Sequence, residues 1–439
     1  MHFFNFSEQI KTNSLSILIA LFPLSFIAGN MIININIILF VLISLIFFGK
    51  KIFNIEYLFI DKILLVFFSL LLLTAVLNDY YFIKIDLYWK GQYATIIKSI
   101  LFFKYLLMYI FLRYLIENNI LKLKLFFIFA SLASIFVSID IFYQFMFGKD
   151  IFGYETYGNT RKLGGPFGDE MIAGSFIQRF AIFSFFAIPI FYKKISNKIL
   201  FSTFIVLFII FLVGIILSGN RMPFILFLFL ITLILVFQKD LRKYLIFFFT
   251  IFSLIFLIIY NFNTEVKINF KNFYKQIYGI SKILTSKDYT PNTPEYFKEF
   301  ESFYHTWTLN KYVGGGIKNF RYYCHVRPHI DREAGFICNM HPHNYYLEIL
   351  TETGLVGFFL ILIIFSATIY KAFIKRYFFN SNYENNLILV PFLFLFLVEI
   401  FPIKSTGSFF TTGNSTYLFL LMGILIGLIK RENSIENQK

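Results

Sequence analysis

Charge is what this sequence is short of. Of 439 residues only 15% are Asp, Glu, Lys or Arg, while 58% are hydrophobic, a balance that excludes a soluble enzyme and fits a polytopic membrane protein. Histidine is scarce too, with six in the chain, and five of them fall between His305 and His343, so titratable imidazole is concentrated in one polar stretch. Cysteine occurs only at Cys324 and Cys338. No internal repeat, low-complexity tail or domain linker interrupts the pattern, so the chain reads as one membrane domain carrying one external subdomain. The first apolar run has no small-residue cleavage site after it and is followed at once by a second, so it is expected to anchor the chain.

Apolar runs of near-spanning length, which takes about 20 residues, recur throughout. They predict an all-α integral membrane fold with about twelve transmembrane helices, near residues 14–29, 31–48, 60–77, 97–116, 123–146, 171–192, 199–217, 222–237, 244–260, 346–370, 387–403 and 416–430. The expected division is a first part of the bundle at 1–260, a loop subdomain at 261–345 between spans nine and ten, and a last part at 346–439. The 65 phenylalanines need no functional account, because an AT-rich genome and lipid-facing surface explain them.

The net charge of +15 would suggest nucleic acid in a soluble protein, but its placement argues for topology. Lys50-Lys51, Lys122/Lys124, Lys193/Lys194/Lys198, Lys239/Arg242/Lys243, Lys371/Lys375/Arg376 and Lys430/Arg431 fall on alternate loops. By the positive-inside rule that face is cytoplasmic, as are both termini, and the partners are membrane lipids with no nucleic acid. Segments 78–96, 147–170, 261–344 and 404–415 are then periplasmic in a bacterial inner membrane. In that oxidising compartment Cys324 and Cys338 are expected to pair, closing a loop worth roughly 3 kcal/mol of unfolded-state entropy. Within the same loop, aromatic residues at Tyr296-Phe297, Phe300 and Phe303-Tyr304 recur at helical spacing and predict a helix over Pro294–Lys311, lying on the membrane surface or capping a cavity.

Ionised groups inside spans cost about 2.5–3.5 kcal/mol at the centre and need a reason. Asp140, Glu170, Arg179, Arg221 and Glu399 all fall in the outer half or at its rim, with no counterpart expected deep in the inner half. The plain alternative to a polar pocket is ion pairing between helices, for example Arg179 with Glu170 or Asp140. Arg221 closes a short hairpin, Ser218-Gly219-Asn220-Arg221, from which a guanidinium can donate bidentate hydrogen bonds to phosphate. Arg161-Lys162 begins a second basic turn that runs through Gly164-Gly165-Pro166-Phe167-Gly168-Asp169-Glu170 into the next span. His341-Pro342-His343-Asn344 stands where a membrane helix begins, with Asn344 a good N-cap and His343 suited to accept a hydroxyl proton near neutral pH. A zinc site from His325, His329, His341, His343, Cys324 and Cys338 is the competing reading, but the spacing follows no standard zinc pattern. No metal or cofactor is therefore assigned.

These motifs resemble the O-antigen ligase and polymerase superfamily. His343-Asn344 with Gly354 and Gly357 looks like its His-plus-polar signature before a spaced Gly-x-x-Gly, and the Ser218–Arg221 hairpin resembles its Ser-Gly-Ser-Arg hairpin, with Asn220 in place of the second Ser. Arg161 with Gly164–Glu170 is similar to its external Arg and Gly-Pro-Phe-Gly segment, and Gly314-Gly315-Gly316 to its glycine-rich stretch.

The resemblance implies a metal-independent, inverting membrane glycosyltransferase of the C-type. It would take a glycan from undecaprenyl pyrophosphate at the periplasmic face and pass it to a hydroxyl of the lipid A-core in lipopolysaccharide biosynthesis. Under it His343 and Arg221 are catalytic, and Arg161, Arg179, Glu170, Asn344 and His341 join Arg221 in binding substrate. A polymerase using the same donor, with a second lipid-linked glycan as acceptor, is the nearest alternative. A polysaccharide flippase or transporter is the rival from another class, although transporters place charge near the midplane.

Overall fold

The computed structural model describes residues 7–80, 93–155, 162–192, 195–286, 295–328, 338–341, 343–378, 387–405 and 407–436. Arg161, Lys193, Lys194, His329 and Pro342 lie outside the described residues. In chain order the helices are α1 (Glu8–Ala20), α2 (Phe22–Ala28), α3 (Asn30–Phe48), α4 (Phe59–Tyr80), α5 (Ala94–Glu117) and α6 (Lys124–Phe147). They continue with α7 (Ala173–Phe180), α8 (Ile182–Phe191), α9 (Asn197–Leu217), α10 (Arg221–Phe237), α11 (Lys239–Arg242) and α12 (Leu245–Phe262). The last six are α13 (Thr264–Ser286), α14 (Glu295–Thr308), α15 (Phe320–Tyr323), α16 (Tyr345–Ile369), α17 (Leu389–Glu399) and α18 (Thr412–Glu436).

The protein is an all-α integral membrane protein. Among the described residues ten helical stretches are long and apolar enough to cross a membrane. The other two expected spans correspond to the shorter apolar helices Arg221–Phe237 and Leu389–Glu399. Burial orders these stretches from centre to rim: 83% of the residues in the apolar window of Thr412–Glu432 are buried, whereas only 6% are in Leu245–Phe262. Helix α18 therefore sits at the heart of the bundle against α5, and α12 lies at its edge.

Two ends of the bundle can be told apart by their polar contacts. At one end Lys430 pairs with Glu56, Arg376 with Glu432, and Lys11 stacks over Phe48. Deep at this end Arg113 is fully buried, donating to the Asp61 carboxylate, to Glu117 Oε1 at 2.6 Å and to the Glu56 carbonyl at 2.6 Å. Tyr109 completes the shell by donating to Asp61 Oδ1 at 2.6 Å. This corrects the expectation that in-span charge is confined to the outer half. Asp61 and Arg113 stand close to the ends of their apolar runs, where a charge reads as interfacial, and only tertiary packing shows both to be shut away from solvent.

At the other end α16 is broken. Gly354 has φ 64° and ψ −168°, which frees the carbonyls and amides around it from the helical ladder. The strand of loop before α15 takes them up: Gly315 and Gly316 N–H donate to the Thr351 and Glu352 carbonyls at 2.9 and 2.8 Å, and Leu355 and Val356 N–H donate to the Lys311 and Tyr312 carbonyls at 2.9 and 3.1 Å. A Cβ on Gly354 would stand 2.2 Å from the Tyr312 oxygen, so no side chain fits there. The glycine-rich stretch and the Gly354 signature are thus two halves of one backbone joint. Asn78 and Thr74 of α4 hold the joint from behind, donating to the Gly314 and Val313 carbonyls.

Candidate functional site

The joint fixes the start of α16, and with it the segment that carries the two histidines. Asn344 caps the helix, its Oδ1 accepting from Tyr346 and Leu347 N–H at 2.9 and 3.2 Å while its Nδ2 donates to the Pro402 and Lys404 carbonyls. From the other side, Cys324 and Cys338 are joined by a disulfide with a Cα separation of 5.7 Å, and Asn339 donates to Glu299 of α14 at 2.6 Å. Helix α14 occupies Glu295–Thr308, inside the stretch where aromatic spacing predicts a helix.

The α9–α10 hairpin approaches the same region. Gly219 takes φ 68° at its tip, and Ser218 Oγ donates to the Ile215 carbonyl at 2.7 Å. Asn220 does what a serine is too short to do: its amide donates to the Met171 carbonyl and accepts from Gly174 N–H, both at 3.1 Å, tying the hairpin to the start of α7. The turn before α7 is tied in as well, since Leu163 N–H donates to the Ser218 carbonyl at 3.3 Å. Asp140 lies beneath this turn at Gly165, with its Oδ1 accepting from Ile151 N–H, and does not line the cavity described next.

Between these elements lies a cavity of about 980 Å³. Its wall includes Arg221, Arg179, Lys162, His341, His343 and, on the acidic side, Glu170 and Glu299. Five of the residues that the resemblance assigns to catalysis or substrate binding, Arg221, Arg179, Glu170, His341 and His343, therefore share one chamber. Asn344 is not among its lining residues, and Arg161 lies outside the described ones.

Each cation is held differently. Arg179 is paired with Glu399 at 2.8 Å rather than with Glu170 or Asp140, donates to Asn414 at 2.6 Å and stacks over Tyr417 at 4.8 Å. Glu399 is shared: Lys404 Nζ reaches it at 2.6 Å and Tyr345 OH at 2.6 Å. Burial pulls the Lys404 ammonium down to about 8 even with that carboxylate beside it. Of these charged groups only Arg179 lines the cavity; Lys404 and Glu399 are buried behind it. Arg221 is oriented by neutral amides instead, donating from Nε to Asn269 Oδ1 at 2.5 Å and from Nη1 to Gln276 Oε1 at 2.8 Å. Sequence reading missed Lys404, Asn414, Asn269 and Gln276. The last two stand seven apart in the amphipathic stretch 264–286, a helical period that would have drawn attention to them.

Burial, and then the charge of Lys162, hold the His343 imidazole below its ordinary 6.5. His341, whose ring lies 5.1 Å away, is pushed further, to about 4, by burial and then by His343, Lys318 and Arg321. Both are neutral at pH 7, and a neutral imidazole is the form that accepts a proton. The sign follows directly: as pH falls, the base is lost only on passing the depressed folded value. Below 6.5 the unfolded chain also binds protons that the folded one refuses, so acid destabilises this loop. The acid limb of any transfer reaction dependent on His343 is expected below pH 6.5 in an initial-rate profile, and a limb at or above it would remove the neutral-imidazole argument.

Residues 205–362, which contain the hairpin, α13, the glycine joint and both histidines, match the family model described as O-antigen ligase. Through that stretch the chain is similar to the O-antigen ligase superfamily. A search of curated proteins finds no match. Members of the superfamily are membrane glycosyltransferase-like enzymes, and the cavity, a chamber with cations and neutral imidazoles at one end of a helical bundle, suits glycan transfer from a lipid-linked substrate.

Proposed function

We propose that the chain transfers a glycan from undecaprenyl pyrophosphate to a hydroxyl of the lipid A-core, at the periplasmic face of the bacterial inner membrane, with both termini cytoplasmic. The observation that carries this reading is the shared cavity: Arg221 and His343 come from distant parts of the sequence and line one chamber with Arg179 and Lys162. In this mechanism the acceptor O–H gives its proton to the His343 imidazole while its oxygen forms a bond to the anomeric carbon from the face opposite the diphosphate. The bond from that carbon to the diphosphate oxygen breaks, its electron pair leaves on undecaprenyl pyrophosphate, and configuration inverts. The guanidiniums of Arg221 and Arg179 and the ammonium of Lys162 stabilise the departing charge, so the transfer needs no metal ion. Arg161, next to Lys162 in sequence, is assigned to the same task, Glu170 and His341 contact the sugars, and Asn344 acts through the helix cap that aims His343.

The test is the lipopolysaccharide of a strain lacking the chain. Loss of ligation strands long glycans on the carrier lipid and leaves core bare. Core bearing single repeats would instead assign polymerisation, with a second lipid-linked glycan as acceptor.

A further inference from the structure

The other end of the bundle carries a groove that takes no part in the proposed transfer. It has a volume of about 530 Å³ and is lined by Phe59 at the start of α4 and by Phe359, Ile363, Ser366, Ala367 and Lys371 along α16 and the π-helical turns Tyr370–Phe378 that continue it. Steps of three and four residues put this row on one helix face. The short side chains of Ser366 and Ala367 leave the depression, and Phe59, Phe359 and Tyr370, each more than half exposed, border it. From Phe359 to Lys371 a helix rises roughly 18 Å. One leaflet's share of the hydrocarbon core is about 15 Å, so the groove has the length of a single acyl chain.

Lys371 stands at the last turn of the groove. It is half-buried, and among the described residues its ammonium meets no hydrogen-bond or ion-pair partner. The carboxylates at this end are already engaged: Asp61 and Glu117 by Arg113, Glu56 by Lys430 and Glu432 by Arg376. Asp61 attracts the ammonium from a distance, while Arg113, Lys430 and Lys375 repel it. An apolar slot open to lipid thus ends on a cation whose charged neighbours are mostly cations.

We propose that the groove binds an anionic phospholipid, with one acyl chain lying along α16 between Phe59 and Phe359 and the phosphate held by Lys371. Charge complementarity selects the headgroup. A phosphodiester with no ammonium of its own offsets the repulsion that Lys371 meets, whereas the headgroup of a zwitterionic lipid brings a further cation beside Lys375. Lipid bound there bridges α4 to α16 and steadies the end of the bundle that Arg113 and Asp61 tie together. In the proposed topology this is the cytoplasmic leaflet, but the site depends neither on that orientation nor on the transfer reaction.

The experiment counts lipid retained by the full-length chain in detergent, by mass spectrometry of the intact complex, with phosphatidylglycerol and phosphatidylcholine of identical acyl chains supplied in equal amounts. The wild-type chain is expected to retain phosphatidylglycerol over phosphatidylcholine by about fivefold, the contribution of one lysine at a lipid surface. Lys371→Gln is expected to abolish the preference and Lys371→Arg to keep it. Ala367→Phe, which fills the slot and spares the charge, is expected to lower retention of both lipids. Lys50→Gln, which removes an exposed charge outside the groove, is expected to leave the preference unchanged. A wild-type chain that retains the two lipids equally has a lysine that only snorkels to the interface, and the proposal falls. It falls too if Lys371→Gln keeps the preference, if Ala367→Phe retains lipid as the wild type does, or if Lys50→Gln loses the preference as fully as Lys371→Gln.

Discussion

Replacing His343 by alanine is expected to slow glycan transfer about 10²–10⁴-fold, the range in which a positioned general base acts, while leaving donor binding intact. The imidazole is held neutral by burial and by Lys162, so it contributes a proton acceptor and no charge to the diphosphate. Under the proposed mechanism affinity for the donor belongs to Arg221, Arg179 and Lys162, which line the same cavity. His341 is no substitute: its ring lies 5.1 Å from that of His343, and at about 4 its basicity is lower still. Transfer and binding should therefore separate in this variant, as single-turnover rates and equilibrium binding of the lipid-linked donor would show. A His343→Ala chain that transfers at the wild-type rate removes the base from the mechanism.

The second large effect lies at the opposite end of the bundle and concerns stability alone. Arg113→Ala is expected to cost about 3–5 kcal/mol, because it leaves the Asp61 carboxylate, 2% exposed, without its cation. The loss reaches further than one pair, since the same guanidinium holds Glu117 and the Glu56 carbonyl. Replacing Arg113 and Asp61 together by leucine should recover much of the deficit, for apolar packing is a tolerable exchange for a buried ion pair and a lone buried charge is not. Thermal unfolding of the solubilised chain decides it: a single variant as stable as the wild type, or a double variant no better than the single, contradicts the account.

These two sites were unequally visible in the sequence. The apolar runs gave the helices, because a bilayer demands length and composition that few other structures need. The residues of the cavity were legible where chemistry and local punctuation coincide: Arg221 after a glycine turn, His343 before an N-cap, Arg179 as a lone cation in an apolar run. What could not be read was who pairs with whom. Arg179 finds Glu399, which is 220 residues away, and Arg113 finds Asp61, which is 52 away, and neither partnership leaves a trace in spacing. Helix α13 was read as part of a loop because its hydrophobic content is low. Only its period, placing Asn269 and Gln276 on one face, marks it.

The broken helix has a consequence for how such a chain can change over time. Residues 311–316 and 351–356 satisfy each other's main-chain groups, so neither can be traded for a foreign segment while the other stays behind. They can be exchanged only as a single cassette, although 34 residues lie between them, and the placement of His343 upstream goes with that cassette. A crossover inside this seam would leave main-chain groups of both segments without their partners and unfix the start of α16.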